Sequence, residues 1–358
     1  MSKNSRSNKQ WWDPHSDQPY RITPAQKHRL APAALGEYAI TLLTALSLSP
    51  AIGWRYLFDR PNPTSMTTRQ FVGLGISLDA GYPDEAVEMV NELGVKELLL
   101  RVPVWDLERI DEYVAYAGRF QGCRFLINVL QHRDSVRDHN AWRESLRTIF
   151  ENFKYITTDF QIGNASNRSK WGCRHTGEYL RLLEIAEEVR EKYPDIRLVG
   201  PSVIDFEPLA MIRALLNRRH YHLDKVSALL YVNRRGAPVN RQFGIFDLKA
   251  KLRLFNAIAS LSGHGSGKLW ITEFNWPLLD TKPYTPNSGR PQTTVDPELQ
   301  AHCLKDYYRI ARQSGCVEKV YWWQLIAPGY GLVDSRGGQL QKRPAYYALK
   351  ALLRDSEI

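Results

Sequence analysis

The stretch KLWITEFNWP, residues 268–277, holds one carboxylate, Glu273, between an apolar run and a proline. Leu269, Trp270 and Ile271 have the composition of a buried strand. Pro277 cannot extend a ladder, so the run predicts a strand that delivers Glu273 at its C-terminal end. Asn275 and Trp276 follow directly. A carboxylate beside an indole at a strand end suits chemistry on a sugar: the anion attacks C1, and a flat ring stacks on the apolar face of a pyranose. The same Glu could equally be a strand-end salt-bridge partner. What the other elements bring to it decides between the two.

Those elements recur with a regular rhythm. Apolar runs at 71–76, 97–102, 124–130, 156–164, 197–203, 226–232, 268–274 and 319–325 each predict a strand. A helical pattern follows every one of them, ending with the helix from Pro344 to Leu353. Near-continuous apolar strands are those of a parallel sheet buried on both faces. Eight strand–helix units predict one closed (β/α)8 barrel over residues 64–358. Ahead of it, residues 1–30 have a disordered composition rich in Ser, Asn, Lys, Gln and Pro, and 31–63 predict a helical extension. The connection 277–296, with Pro283, Gly289 and Pro291, reads as a loop over the active face that could act as a lid.

In such a barrel the site forms at the C-terminal strand ends. Strand two ends near Arg101, strand four in Asn164-Ala165-Ser166-Asn167, strand six in Tyr231, and strand eight passes Trp322 and Trp323. An Arg beside a carboxylate keeps it ionised, a Tyr hydroxyl can orient it, and a Trp can floor a sugar subsite. After strand four come Arg168, Lys170 and Trp171, a set of donors and one aromatic that could hold an anionic group. Taken singly, Arg101, Tyr231 and Trp322 fit structural roles. Their convergence on one barrel mouth favours a carbohydrate site.

From Phe71 to Leu353 the arrangement resembles the large clan of retaining glycoside hydrolases built on (β/α)8 barrels, which includes cellulase-like and xylosidase-like families. The resemblance implies Glu273 as nucleophile, Arg101 and Tyr231 as its supports, Asn164 as a ligand of the sugar 2-hydroxyl, and Trp322 or Trp323 with Trp276 as stacking surfaces. One position departs from it. Where the clan carries a Glu as general acid/base after the strand-four Asn, this chain has Ala165. A methyl group moves no proton, and loss of a general acid/base removes about 10²–10⁴-fold in rate. Asp79, Asp106, Asp134 or Asp205 on the rim could supply the acid, the leaving group could need none, or the barrel could bind sugar without cleaving it.

The bulk numbers bound the partners. A net charge of +10 on 358 residues favours acidic ligands such as anionic glycans or anionic lipid surfaces. The basic residues are scattered, and no nucleic-acid-binding signature appears, so no nucleic acid partner is expected. The nine histidines form no His-x-His at a strand end, so neither a metal nor any other cofactor is expected. Cys123, Cys173, Cys303 and Cys316 lie far apart, as unpaired thiols in a reducing compartment would. The polar start lacks the form of a signal peptide, so a cytoplasmic location is expected. Residues 38–52 are apolar but interrupted by Pro50 and short of a bilayer span, which predicts a docking helix or a weak membrane-surface contact. The expected activity is glycoside hydrolysis of an anionic, bacterial surface-type glycan. The alternative is a non-catalytic binder serving polysaccharide or lipopolysaccharide assembly.

Overall fold

Each apolar run becomes a parallel strand. In chain order these are β3 (Val72–Ile76), β4 (Glu97–Pro103), β5 (Arg124–Leu130), β6 (Asp159–Ile162), β7 (Arg197–Ile204), β8 (Lys225–Leu229), β9 (Leu269–Phe274) and β10 (Val317–Trp322). They close into one barrel in the order β10-β3-β4-β5-β6-β7-β8-β9. This computed structural model describes residues 10–22, 34–232, 236–265, 268–284 and 294–354. The middle of the expected lid, 285–293, lies outside them.

Helices between the strands cover the outside, and their limits follow from ordinary signals. The helix Pro83–Leu93 opens on Pro at its first turn and closes on Gly94, whose φ of 73° is left-handed and whose N–H reaches Val90 O at 3.0 Å. Asp247 caps Leu248–Ser260 through Ala250 N, and Asp296 caps Pro297–Gln313 through Leu299 N.

Inside the barrel, Leu99, Leu126, Val199, Trp270 and Tyr321 fill the interior, with Trp323 above them. At the N-terminal end, buried Glu97 pairs with Lys319 at 2.6 Å and with Arg124. Two large aromatics from one strand need a thin neighbour, which β3 supplies as Gly73 and Gly75. A Cβ on Gly75 would stand 2.3 Å from the Trp323 ring, and one on Gly73 2.3 Å from Tyr321.

Two N-terminal features differ from the expectations for this region. The first is the helix Leu35–Phe58, which runs straight through Pro50. Proline at 50 removes the N–H that would bond Leu46 O, but the Ser49 hydroxyl donates to that carbonyl at 2.9 Å. The uninterrupted helix is long and apolar enough to cross a membrane, contrary to the shorter span expected. It lies along the helices Pro208–Leu215 and Leu248–Ser260.

The second is residues 10–22, expected to be disordered. They form an antiparallel hairpin, β1 (Trp12–Asp13) with β2 (Gln18–Pro19), seated in the barrel mouth. Trp12 is 1% exposed. It is one of two adjacent tryptophans, and burying such a ring supplies what the polar residues around it cannot. The flanking parts of the expected tail, 1–9 and 23–30, lie outside the described residues.

The strand β3 glycines give the first prediction. Gly75→Val should cost about 1–3 kcal/mol by forcing Trp323 off its rotamer. Thermal and denaturant unfolding measure it; an unchanged midpoint would mean that the strand and ring shift apart freely.

Candidate active site

Glu273 stands at the end of β9, 8% exposed, and each of its carboxylate oxygens is held. Arg101, from β4, donates Nη2–H to Oε2 at 2.5 Å. Tyr231, just past β8, donates its hydroxyl to Oε1 in a short hydrogen bond. Three strands thus converge on one anion, two of them set by the ladder and the third by the chain leaving it. The Arg101 guanidinium is itself clasped by aromatics. Its Cζ lies 3.6 Å from the Trp323 ring centroid and 5.7 Å from that of Trp171. Stacking of this kind suits a planar, weakly hydrated cation that must sit out of water.

The other arm of Arg101 faces the N-terminal hairpin. Its Nη1 donates to Asp17 O at 3.0 Å and to Asp17 Oδ2 at 3.3 Å. The hairpin makes further polar contacts across the mouth: Lys170 donates to Gln18 Oε1, and Tyr330 donates to Ser16 O at 3.1 Å. Beneath the hairpin remains a cavity of about 80 Å³ lined by Asp17, Arg101, Asn164, Trp171, Tyr231, Glu273 and others. Ligand pockets for small molecules run to about 300–1,000 Å³. With the hairpin seated, the mouth holds no pyranose ring.

The strand-four loop is built around its alanine. Ala165 is fully buried, with φ +46°, in a cluster with Trp12, Trp171, Leu229 and Tyr231. Trp12 of the hairpin belongs to the same buried cluster. The rim aspartates expected as alternative acids do not line the cavity. Asp106 accepts from Tyr113 at 2.7 Å and from Arg109, Asp79 also pairs with Arg109, and Asp205 pairs with Arg168. Asp134 is turned to solvent beside His132. Among the described residues, the carboxylates in the cavity are Glu273 and Asp17.

Other expected site residues divide. Asn164 lines the cavity and is locked in place: its Oδ1 accepts from Asn128 at 3.0 Å, and its backbone bonds Gln131 in both directions. Asn275 also lines it, its Nδ2 donating to Trp323 O at 2.7 Å. Trp323, rather than Trp322, faces the mouth. Trp322 and Trp276 point outward into the helix layer, stacked at 6.3 Å on each other and around Phe274. Trp276 follows Phe274 by two residues, so the pleat's alternation puts both on the outer face, opposite Glu273 and Asn275.

Asn167 and Arg168 tie the loop to the end of β7 instead of facing a ligand. Asn167 bonds Ile204 and Glu207, while Arg168 pairs with Asp205 and Glu207. Lys170 stays near the site, and burial pushes its ammonium down to about 8 against the opposing pull of Glu273.

Asp17, Gln18 and Trp12 were missed. The available signal was the pair Trp11-Trp12, since disordered tails are poor in aromatics.

No family model matches the chain, and no curated protein sequence matches it. Solved structures do. A family 39 glycoside hydrolase from the gut symbiont Bacteroides cellulosilyticus WH2 superposes with a TM-score of 0.59 at 14% identity, over 81% of this chain and 65% of that one. The virulence factor SghA from Agrobacterium tumefaciens superposes at 0.57 and 11% identity, over 80% of this chain and 97% of that one. Saccharomyces cerevisiae Gas2p, solved with laminaritetraose and laminaripentaose, superposes at 0.53 and 13% identity, over 80% and 63%. The chain thus spans less than two thirds of the first and third. What the chain shares with these structures is the fold, a closed (β/α)8 barrel.

Removing one partner of the buried pair should be costly. Arg101→Met leaves the Glu273 carboxylate without its cation, at an expected loss of about 3–5 kcal/mol in denaturant unfolding. Arg101→Met/Glu273→Gln should recover most of that loss; a strictly additive double variant would mean that the two side chains are not energetically coupled.

Proposed function

We propose that the protein is a glycoside hydrolase-like barrel acting on an anionic glycan, with Glu273 as the nucleophile. The observation that carries the reading is the hold on both Glu273 oxygens by Arg101 and Tyr231. A carboxylate so held is charge-paired and fixed in direction. In the proposed step Glu273 forms a bond to C1 as the bond from C1 to the leaving oxygen breaks. The leaving oxygen departs with the bonding pair; water then bonds C1 as the ester bond to Glu273 breaks, and the proton that the water loses neutralises the departed oxyanion through solvent. The carbohydrate ligands of Gas2p support a sugar in a barrel of this shape.

An acidic sugar is favoured because the hairpin imitates one. Asp17 places a carboxylate on Arg101, and Gln18 places an oxygen on Lys170. A substrate carboxylate entering as the hairpin leaves would inherit both cations. In this reading the site is closed at rest by its own N-terminal segment and opens by releasing Trp12 and Asp17.

The reading is tested with activated aryl glycosides, including glucuronides, whose leaving groups need little acid help. Wild type is compared with Glu273→Gln, and each with Trp12→Ala/Asp17→Ala to loosen the hairpin. Turnover should rise with the loosened hairpin and vanish with Glu273→Gln. Turnover that survives Glu273→Gln sinks the assignment.

Lys170 adds a pH signature. It is cationic below about 8 and neutral above, so affinity for an acidic glycan should fall as pH rises through that value. Calorimetry with Lys170→Met should lose that dependence; a pH profile identical to wild type would remove Lys170 from the site.

A second reading, carbohydrate binding without cleavage, is favoured by Ala165, which shares a buried apolar cluster with Trp12. Ala165→Glu/Trp12→Ala makes room for an acid. Hydrolysis appearing only in that variant would support the binding reading, and equal hydrolysis in the wild type would overturn it.

A further inference from the structure

We infer that the outer face of the helix Leu35–Phe58 seats on an anionic lipid bilayer, with the helix lying in the plane of the surface. Residues 38–54 of this helix contain no Asp, Glu, Lys or Arg. A helix on a water-facing surface turns its charges outward and its apolar stripe inward. This one packs Ile52, Ala45 and Leu48 inward and is apolar on its outer face as well. Leu43 is 67% exposed, Leu46 65% and Trp54 65%, with Tyr38, Leu42 and Leu57 also exposed. The inner face carries the polar anchors: Glu37 pairs with buried Arg213 at 2.9 Å, and Arg253 donates to Tyr56 O at 2.5 Å. A continuous apolar face of this extent marks an interaction surface.

Two observations select the occupant. First, the helix is flanked by structure that belongs to one body. The hairpin before it sits in the barrel mouth, and the barrel follows it. A spanning helix would separate those two on opposite sides of a bilayer, so this helix lies flat despite its length. Ion pair and hydrogen bond pin both of its ends to the barrel wall. Second, the surroundings are cationic. A groove of about 650 Å³ along the helix runs between Ile40 and Leu48 on one side and exposed Arg218 and Arg219, the latter paired with Glu184 at 3.2 Å, on the other. Arg55, paired with Asp59 at 3.4 Å, and Arg60 stand at the far end. An apolar strip with bordering cations, on a chain of net charge +10, complements acyl chains beneath a layer of anionic headgroups. A second copy of the chain would bring like charge to the same border.

The test is vesicle flotation of the full chain, with phosphatidylcholine alone and with equimolar phosphatidylcholine and phosphatidylglycerol. The protein should float with the anionic vesicles and remain behind with the neutral ones. Raising salt well beyond physiological strength should weaken binding roughly fivefold or more, because headgroup attraction is screened. Leu42→Glu/Leu46→Glu alters exposed side chains only, so the fold should persist by circular dichroism while flotation is lost. Arg218→Glu/Arg219→Glu should weaken flotation without touching the apolar face. Absence of flotation, equal flotation on neutral vesicles, or flotation unchanged in Leu42→Glu/Leu46→Glu overturns the inference. So does a vesicle-independent dimer that Leu42→Glu/Leu46→Glu turns into monomer, since a second copy would then cover the face.

Discussion

The barrel mouth depends on one buried guanidinium. Arg101 is 4% exposed, and a cation so far from water needs partners; both Nη groups have them, while its Nε makes no hydrogen bond among the described residues. Glu273 takes one arm, Asp17 the other, and the faces rest against Trp323 and Trp171. Everything near the site follows from that satisfaction. Trp323 can lie under the guanidinium only because Gly75 carries no Cβ. The hairpin stays seated because Asp17 answers a charge that would otherwise face an open cavity.

The hairpin and the strand-four alanine belong to one arrangement. Ala165 and Trp12 share one buried apolar cluster, into which a glutamate at 165 would bring a carboxylate. The two residues are 153 positions apart and fit one another. This reframes the missing acid. The site has a second carboxylate in Asp17, but it is paired with the same Arg101 that supports Glu273. In that position it occupies the guanidinium as an anionic ligand would.

The N-terminal region connects mouth and surface. Within residues 10–58 the chain supplies the hairpin over the site and the apolar helix on the barrel wall. Neither segment contributes a strand to the barrel. Both are appended to a complete (β/α)8 unit, and both present groups that a free-standing barrel would not need.

The sequence by itself determined the barrel. Eight apolar runs separated by helical patterns have one economical solution, because parallel strands bury both faces and each needs a crossover. It also determined Glu273, Arg101 and Tyr231 as a set, since each sits at a strand end and the topology brings strand ends together. What it could not determine is direction and distance. Whether Trp322 or Trp323 faces the mouth depends on the pleat beyond the last ladder pair, and Trp276 is turned away by the same alternation. Arg168 and Lys170 look alike in the chain, but Glu207 and Asp205 claim the first while the second stays near Glu273. The hairpin was the least legible, because its few polar residues gain order only from long-range contacts with Arg101, Lys170 and Tyr330. Periodicity records what a segment does with its neighbours in sequence; those contacts exist only once the barrel has closed.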